Sequence, residues 1–181
     1  MPATTGEGQV RTAAVLVAMD TALSGVRHHT FTVARELDAP VETVYRAFSD
    51  DSVRRRWFKL PGSDAEYEFD FRAGGTERAS SNFTMLDGAQ ERVENRSHWI
   101  EIVPDRRIVQ VYEAFVSEVR IWTALVTIEL YALPGQGRTL LDWTEQVALL
   151  QYRQDGELDI RHLRGATGLR LNGLALALTQ A

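Results

Sequence analysis

Residues 158–178, LDIRHLRGATGLRLNGLALAL, have the periodicity of one long helix near the end of the sequence. Apolar or small side chains recur every three or four positions, at Ile160, Leu163, Thr167, Leu171, Leu174 and Leu178. This spacing places them on one helical face. The segment therefore predicts a long helix that must cover an apolar surface formed elsewhere in the chain.

The apolar surface under this helix is predicted by the alternation of apolar and polar residues from residue 65 onwards. Strands are indicated at about 65–72, 75–85, 91–103, 107–116, 119–132 and 138–150. Turn residues separate them, at Gly74-Gly75, Asp87-Gly88, Pro104-Asp105 and Pro134-Gly135-Gln136-Gly137. Consecutive hairpins imply an antiparallel meander with one buried face.

The residues before the meander predict one strand and two short helices. HHTFTVARELDAP, residues 28–40, alternates as a strand, and Pro40 suits the first turn of a helix over 41–48. DDSVRRRWF, residues 50–58, predicts a second short helix with Trp57 inside and Arg54, Arg55 and Arg56 in solvent. The fold class is therefore α+β, with a curved antiparallel seven-stranded sheet wrapped around the long helix.

Composition excludes several classes of function. The chain has 181 residues, a net charge of −5 and a single lysine, Lys59, which argues against a nucleic-acid-binding protein. It has no cysteine, so disulfides, thiolate chemistry and cysteine-ligated zinc are excluded. The longest apolar run, 13–19, is too short to span a bilayer, so we expect no membrane insertion, no targeting segment and a cytoplasmic location.

Domain boundaries follow from the same patterns. Residues 1–26 are expected to be an N-terminal extension, partly disordered or carrying a short helix or strand at 11–23. Residues 27–181 are expected to form the folded domain.

No cofactor is expected, because phosphate-binding loops and the common catalytic motifs are absent. No metal is expected, because His28 and His29 point to opposite faces of a strand.

Three glutamates are in phase with buried apolar side chains. Glu77 lies in phase with Phe83, Glu101 with Trp99, and Glu145 with Trp143. A buried carboxylate without a partner is costly. Each must be partnered, protonated or in contact with water, and we favour a structural ion pair or an outward turn over a ligand anchor. The arginines considered as partners are Arg35, Arg72 and Arg120. For Glu77 we expect the solvent-exposed rim, with Tyr67, Phe69 and Phe71 turned toward the long helix.

Six motifs carry a resemblance to a known family over residues 27–178. They are RELDAPVETVYRAFSDD, RRRWF, FDFRAGG, WIEIVPDRRIVQVYE, TLLDWTEQ and HLRGATGLRLNGL. In order and spacing they resemble the SRPBCC, or START-like, helix-grip superfamily. Within it they are most similar to the group named after the activator of heat-shock protein 90 ATPase.

The resemblance implies a hydrophobic cavity between the sheet and the long helix. Members of the superfamily hold sterols, lipids, polyketides or other natural products there; some catalyse cyclase or aromatase chemistry, and the namesake stimulates a chaperone ATPase. Relatives often carry Gly-Trp where this chain has Gly165 and, nearby, Gly168. These small residues either open the cavity or allow close packing on Trp122 and Trp143.

The predicted partner is a small apolar ligand. The sequence is compatible with a homodimer as well as with a monomer. The alternatives are a cyclase-type enzyme, with a glutamate as acid or base assisted by Tyr112, and a protein-interaction module. The candidate cavity residues are aromatic, polar or small: Trp57, Tyr67, Phe69, Phe71, Glu77, Trp99, Gln110, Tyr112, Trp122, Trp143, Glu145, His162, Gly165 and Gly168.

Overall fold

The structure is a computed structural model that describes residues 25–84 and 88–179. The expected N-terminal extension lies outside the described residues apart from positions 25 and 26. The helix or strand expected at 11–23 therefore also lies outside them.

One antiparallel sheet forms the main body of the described chain. Its strands are β1 Arg27–Leu37, β2 Ser63–Phe69, β3 Thr76–Thr84, β4 Gln90–Val103, β5 Arg107–Val116, β6 Val119–Leu133 and β7 Arg138–Leu149. Their order across the sheet is β1-β7-β6-β5-β4-β3-β2. Strands β2 to β7 therefore form an antiparallel meander, and β7 also pairs with β1. This arrangement confirms the predicted topology.

The described residues also form three helices: α1 Val41–Ser49, α2 Asp51–Trp57 and α3 Glu157–Leu178. Asp50 caps α2, because its side chain accepts hydrogen bonds from the backbone N–H groups of Ser52 at 2.9 Å and Val53 at 3.3 Å. The predicted helix-grip arrangement is confirmed, with two short helices after β1 and one long helix over the sheet.

The long helix buries the face that its periodicity predicts. Ile160, Leu163, Thr167, Leu171 and Leu174 are all buried. In the last turn the buried residue is Ala177, and Leu178 is only partly buried. Gly173 faces α2, and a Cβ built there would lie at an ordinary van der Waals distance, 3.5 Å, from the backbone oxygen of Trp57, so the contact between α3 and α2 does not require glycine.

Glu101 does not share a face with Trp99, contrary to the simple alternation of β4. A bulge shifts the register between these residues: Trp99 pairs with Gln110, whereas Glu101 pairs with Val109. The extra residue turns Glu101 outward, because the side-chain period of a strand is two. Glu101 accepts a hydrogen bond from Arg107 Nε at 2.7 Å on the partly exposed surface.

Glu77 lies in the core, which corrects the expectation that it reaches the rim. Its carboxylate accepts two hydrogen bonds from Arg54 of α2, from Nε and from Nη2, each at 2.8 Å. The expected fully solvated arginine face is therefore also wrong at Arg54, which is 0% exposed, although Arg55 and Arg56 are exposed. The Arg54 guanidinium carbon lies 4.3 Å from the ring centroid of Trp57, so aromatic contact compensates part of its desolvation.

Aromatic side chains of β2 enclose this ion pair. Tyr67 donates its hydroxyl hydrogen to Glu77. Tyr67, Phe69 and the following Phe71 form a stacked row with neighbouring centroids 5.9 and 5.8 Å apart. The row contacts Phe58, Tyr45 and Trp99. It therefore faces the short helices and β4 instead of turning toward α3 as expected.

We expect Glu77→Gln to lower the free energy of unfolding by about 3–5 kcal/mol, because it leaves the Arg54 guanidinium buried without a counter-charge. The measurement is urea unfolding at neutral pH. Glu68→Gln on the exposed side of β2 is the control and should change stability by less than about 0.5 kcal/mol. The double variant Arg54→Met/Glu77→Met should recover much of the loss. A loss below about 1 kcal/mol in Glu77→Gln would contradict this account.

Glu94 makes a second charged cluster on the other face of β4. It is 7% exposed and accepts hydrogen bonds from Arg78 Nε at 2.6 Å and Arg96 Nε at 2.7 Å. The hydrogen bond from Arg96, supported by Arg78, lowers the pKa of Glu94 from 4.5 to about 2. Because the pKa is lower in the folded protein, the stabilisation is complete above about pH 4.5 and is lost as the pH falls toward 2.

We therefore expect Glu94→Gln to lower the free energy of unfolding by about 1–2 kcal/mol at pH 7, a value reduced from the full linkage because both arginines are partly exposed. The gap between the two proteins should close between pH 4.5 and 2. Urea unfolding across this range measures it, with Glu42→Gln on the exposed side of α1 as control. A gap that is constant with pH would be inconsistent with the arginine contacts.

Candidate functional site

A cavity of about 700 Å³ lies between the sheet and the first half of α3. Residues of β4, β5 and β6 form one wall, and α3 and the segment after α2 form the other. Most lining side chains are apolar or aromatic, among them Leu60, Val93, Ala114, Phe115, Ile121 and Leu163. This size and lining are typical of sites for small molecules.

Tyr112 of β5 and Asn95 of β4 are the polar residues of the strands that line this cavity. The Tyr112 hydroxyl donates to Glu145 Oε2 at 3.0 Å and accepts from Trp122 Nε1 at 3.1 Å. A tyrosine hydroxyl has one hydrogen and two lone pairs, so one lone pair remains for a ligand. The Tyr112 side chain thus combines a fixed ring position with one free acceptor.

Glu145 positions Tyr112 from beneath the cavity surface. The Glu145 side chain is 0% exposed, and its Oε1 also accepts from Trp143 Nε1 at 2.8 Å and from Thr167 Oγ1 at 2.6 Å. These donors come from β5, β7 and α3, so one carboxylate joins the helix to the sheet. Neutral donors satisfy it in place of the arginine partners that the sequence suggested.

The pKa of the Tyr112 hydroxyl is raised, first by burial and then by the negative charge of Glu145. Tyr112 is therefore protonated at neutral pH. In that state it can hold Glu145 and accept a hydrogen bond, but it does not act as a base.

The structure distributes the candidate residues over three places. Those lining the cavity are Trp57, Tyr112, Trp122 and His162. Those directly beneath it are Trp143 and Glu145. Those around the Arg54 guanidinium and its aromatic enclosure are Tyr67, Phe69, Phe71, Glu77 and Trp99. Gln110 is buried and pairs across the strands with Trp99.

Gly165 and Gly168 lie on the same half of α3 as the cavity lining. A Cβ built on either glycine would meet no atom within 4 Å. Close packing on Trp122 or Trp143 therefore does not explain them. Ala166 between them lines the cavity.

Sequence reasoning missed Arg170 and Lys59, which both line the cavity. Arg170 lies seven residues after Leu163 and three after Thr167, so it lies beside the buried face of α3, where it is partly exposed. That periodicity was a signal for Arg170. Lys59 follows α2 in a loop, where no periodicity indicates the direction of a side chain.

Residues 25–84 and 88–179 contain neither a metal-binding cluster nor a membrane-spanning helix. No group of three or more histidine, aspartate and glutamate side chains there could hold a metal ion. No helix of that part of the chain is long and apolar enough to cross a bilayer.

Comparison with known structures supports the fold. A protein from Rhizobium leguminosarum is 34% identical, with a TM-score of 0.74, over 87% of this chain and 98% of its own. The Mll3558 protein from Rhizobium loti is 33% identical, with a TM-score of 0.69, over 84% and 99%. DynU16, a protein in the dynemicin biosynthetic locus, shares the fold at 17% identity and a TM-score of 0.59, over 83% of this chain and 47% of its own.

No curated protein matches the sequence significantly. The family model of activator of Hsp90 ATPase homolog 1-like proteins matches residues 38–162, from the end of β1 into the first turns of α3. This match covers the short helices and the sheet wall of the cavity, ends before most of the α3 wall, and confirms the resemblance seen in the sequence. The chain belongs to the family of activator of Hsp90 ATPase homolog 1-like proteins.

Proposed function

We propose that the protein binds an apolar small molecule in the cavity between β4–β6 and α3, with the Tyr112 hydroxyl as hydrogen-bond acceptor. The observation that carries the proposal is a cavity of about 700 Å³ whose largely apolar wall holds one buried, fully oriented hydroxyl. Apolar walls with few fixed polar groups give a ligand site both affinity and orientation. In this proposal residues 27–181 form the binding domain.

Binding is favoured over cyclase-type catalysis by the position of the carboxylate. Glu145 is 0% exposed, and three side chains already donate to its two oxygens. An acid or base must come within hydrogen-bonding distance of the proton it transfers. Glu145 meets the cavity only through Tyr112, so its role in this proposal is to position that tyrosine.

We expect Ala166→Trp to weaken binding of the neutral fluorescent probe N-phenyl-1-naphthylamine at least tenfold, because the indole would occupy the cavity from its α3 wall. Ala166 is exposed and lines the cavity, so the substitution spares the core. The matched control is Leu176→Trp, at an exposed position of α3 outside the lining, and should change affinity less than twofold. Fluorescence titration measures both variants. If the wild type does not bind the probe, or if both variants bind alike, the proposed cavity site is wrong.

We expect Tyr112→Phe to reduce affinity for 2-naphthol about three- to tenfold while leaving naphthalene within twofold, since only the naphthol donates a hydrogen bond to Tyr112. Displacement of the same fluorescent probe measures both ligands. An equal loss for the two ligands would mean that the variant disturbs cavity shape and that Tyr112 is not the acceptor.

A further inference from the structure

Arg170 is a cation inside the cavity wall without an anionic partner. Its guanidinium carbon lies 4.8 Å from the ring centroid of Phe58 and 6.0 Å from that of Trp143. No carboxylate in the described part of the chain forms an ion pair with it, and none of its N–H groups donates a hydrogen bond there. Arg170, which is partly exposed, thus differs from the buried Arg54, whose Nε and Nη2 donate to the Glu77 carboxylate.

The side chains that line the cavity carry more positive than negative charge. Lys59 also lines the cavity and has no ion pair within the described residues. Asp159 is the acid of the lining, and Arg153 already holds it through a backbone N–H at 2.9 Å and a guanidinium nitrogen at 3.5 Å. The lining therefore carries one more positive than negative side chain, although the chain has a net charge of −5, and the buried carboxylate of Glu145 lies beneath it.

Arg170 and Tyr112 act on the same space from opposite walls. The positive charge of Arg170 opposes the rise in the pKa of the Tyr112 hydroxyl, so its field reaches the polar group on the sheet. Contact with the Phe58 and Trp143 rings restrains the guanidinium plane. A restrained guanidinium offers parallel N–H donors, a geometry that matches the two oxygens of a carboxylate.

We propose that the ligand is an amphiphilic carboxylic acid, whose carboxylate pairs with Arg170 while its apolar body fills the cavity beside Phe115, Trp122 and Leu163. This assignment rests on the proposed binding function and names the chemical class of the ligand. Lys59 adds a second positive charge at the same wall. The partly desolvated setting makes the carboxylate pair stronger than a surface ion pair of the same geometry.

The test compares acids with alcohols of the same carbon skeleton. Dodecanoic acid is paired with dodecanol, and 1-pyrenebutyric acid with 1-pyrenebutanol. Displacement of N-phenyl-1-naphthylamine at pH 7.5 gives their affinities. In at least one pair the acid should bind ten times more tightly than the alcohol. That preference should shrink when sodium chloride rises from 20 to 500 mM, because salt screens the ion pair.

Arg170→Gln should reduce the acid's preference to less than threefold, with a larger loss of affinity for the acid than for the alcohol. Arg164→Gln, at an exposed position of α3 outside the lining, is the matched control and should keep the full preference. Arg170→Lys should give an intermediate value, because it keeps the charge but loses the paired donors. Far-ultraviolet circular dichroism checks that each variant is folded.

A further measurement uses only the wild-type protein, so its result does not depend on whether any variant folds. The carboxyl carbon of bound, ¹³C-labelled dodecanoic acid or pyrenebutyric acid should titrate at a lower pH than in water, because Arg170 favours its charged form. Equal affinities of acids and alcohols with normal probe binding would overturn the carboxylate assignment alone. Absence of probe, acid and alcohol binding would overturn the cavity function as well.

Discussion

The hydrogen bond from Thr167 Oγ1 to Glu145 Oε1, at 2.6 Å, is the constraint on which the cavity depends. It fixes the first half of α3 above β7, while the other oxygen of Glu145 fixes Tyr112 on β5. A buried carboxylate is tolerated only when its oxygens are satisfied, so the helix cannot slide along the sheet without exposing an unpaired acceptor. The distance between the two walls is thereby set by polar contacts, and the apolar side chains between them do not have to fill the space.

The two buried glutamates of the inner face have opposite effects on packing. Glu77 binds the Arg54 guanidinium, and the aromatic row of β2 closes around the pair, so that side of the sheet is filled. Glu145 binds only neutral donors, and the small residues Ala114 and Ala166 line the opposing walls, so that side is open. One sheet and one helix can therefore hold both a solid core and a cavity.

Much of the architecture was predictable because it depends on local periodicity. Alternation and turn residues located each strand, and the three-to-four spacing from Ile160 to Leu174 located α3.

The features that the sequence did not predict depend on more than local periodicity. Arg54 lies in a run of three arginines, and its partner Glu77 is 23 residues away, so no local signal separates it from Arg55. The bulge after Trp99 reverses the facing of Glu101, and alternation cannot show an inserted residue. The cavity itself is a shortage of side-chain volume, which a hydrophobic pattern does not record.

The charges around the cavity explain why an apolar site keeps an arginine in its wall. Arg170 is partly exposed, and its guanidinium lies against the rings of Phe58 and Trp143 without a carboxylate partner among the described residues. A ligand carboxylate would supply a counter-charge to Arg170 at this wall. The same carboxylate would lie across the cavity from the Tyr112 hydroxyl, which cannot donate to it because its hydrogen is held by Glu145. Arg170 and Tyr112 would then recognise opposite chemistry, an acid at the helix wall and a hydrogen-bond donor at the sheet wall, and a ligand bearing both groups would have one orientation in the cavity.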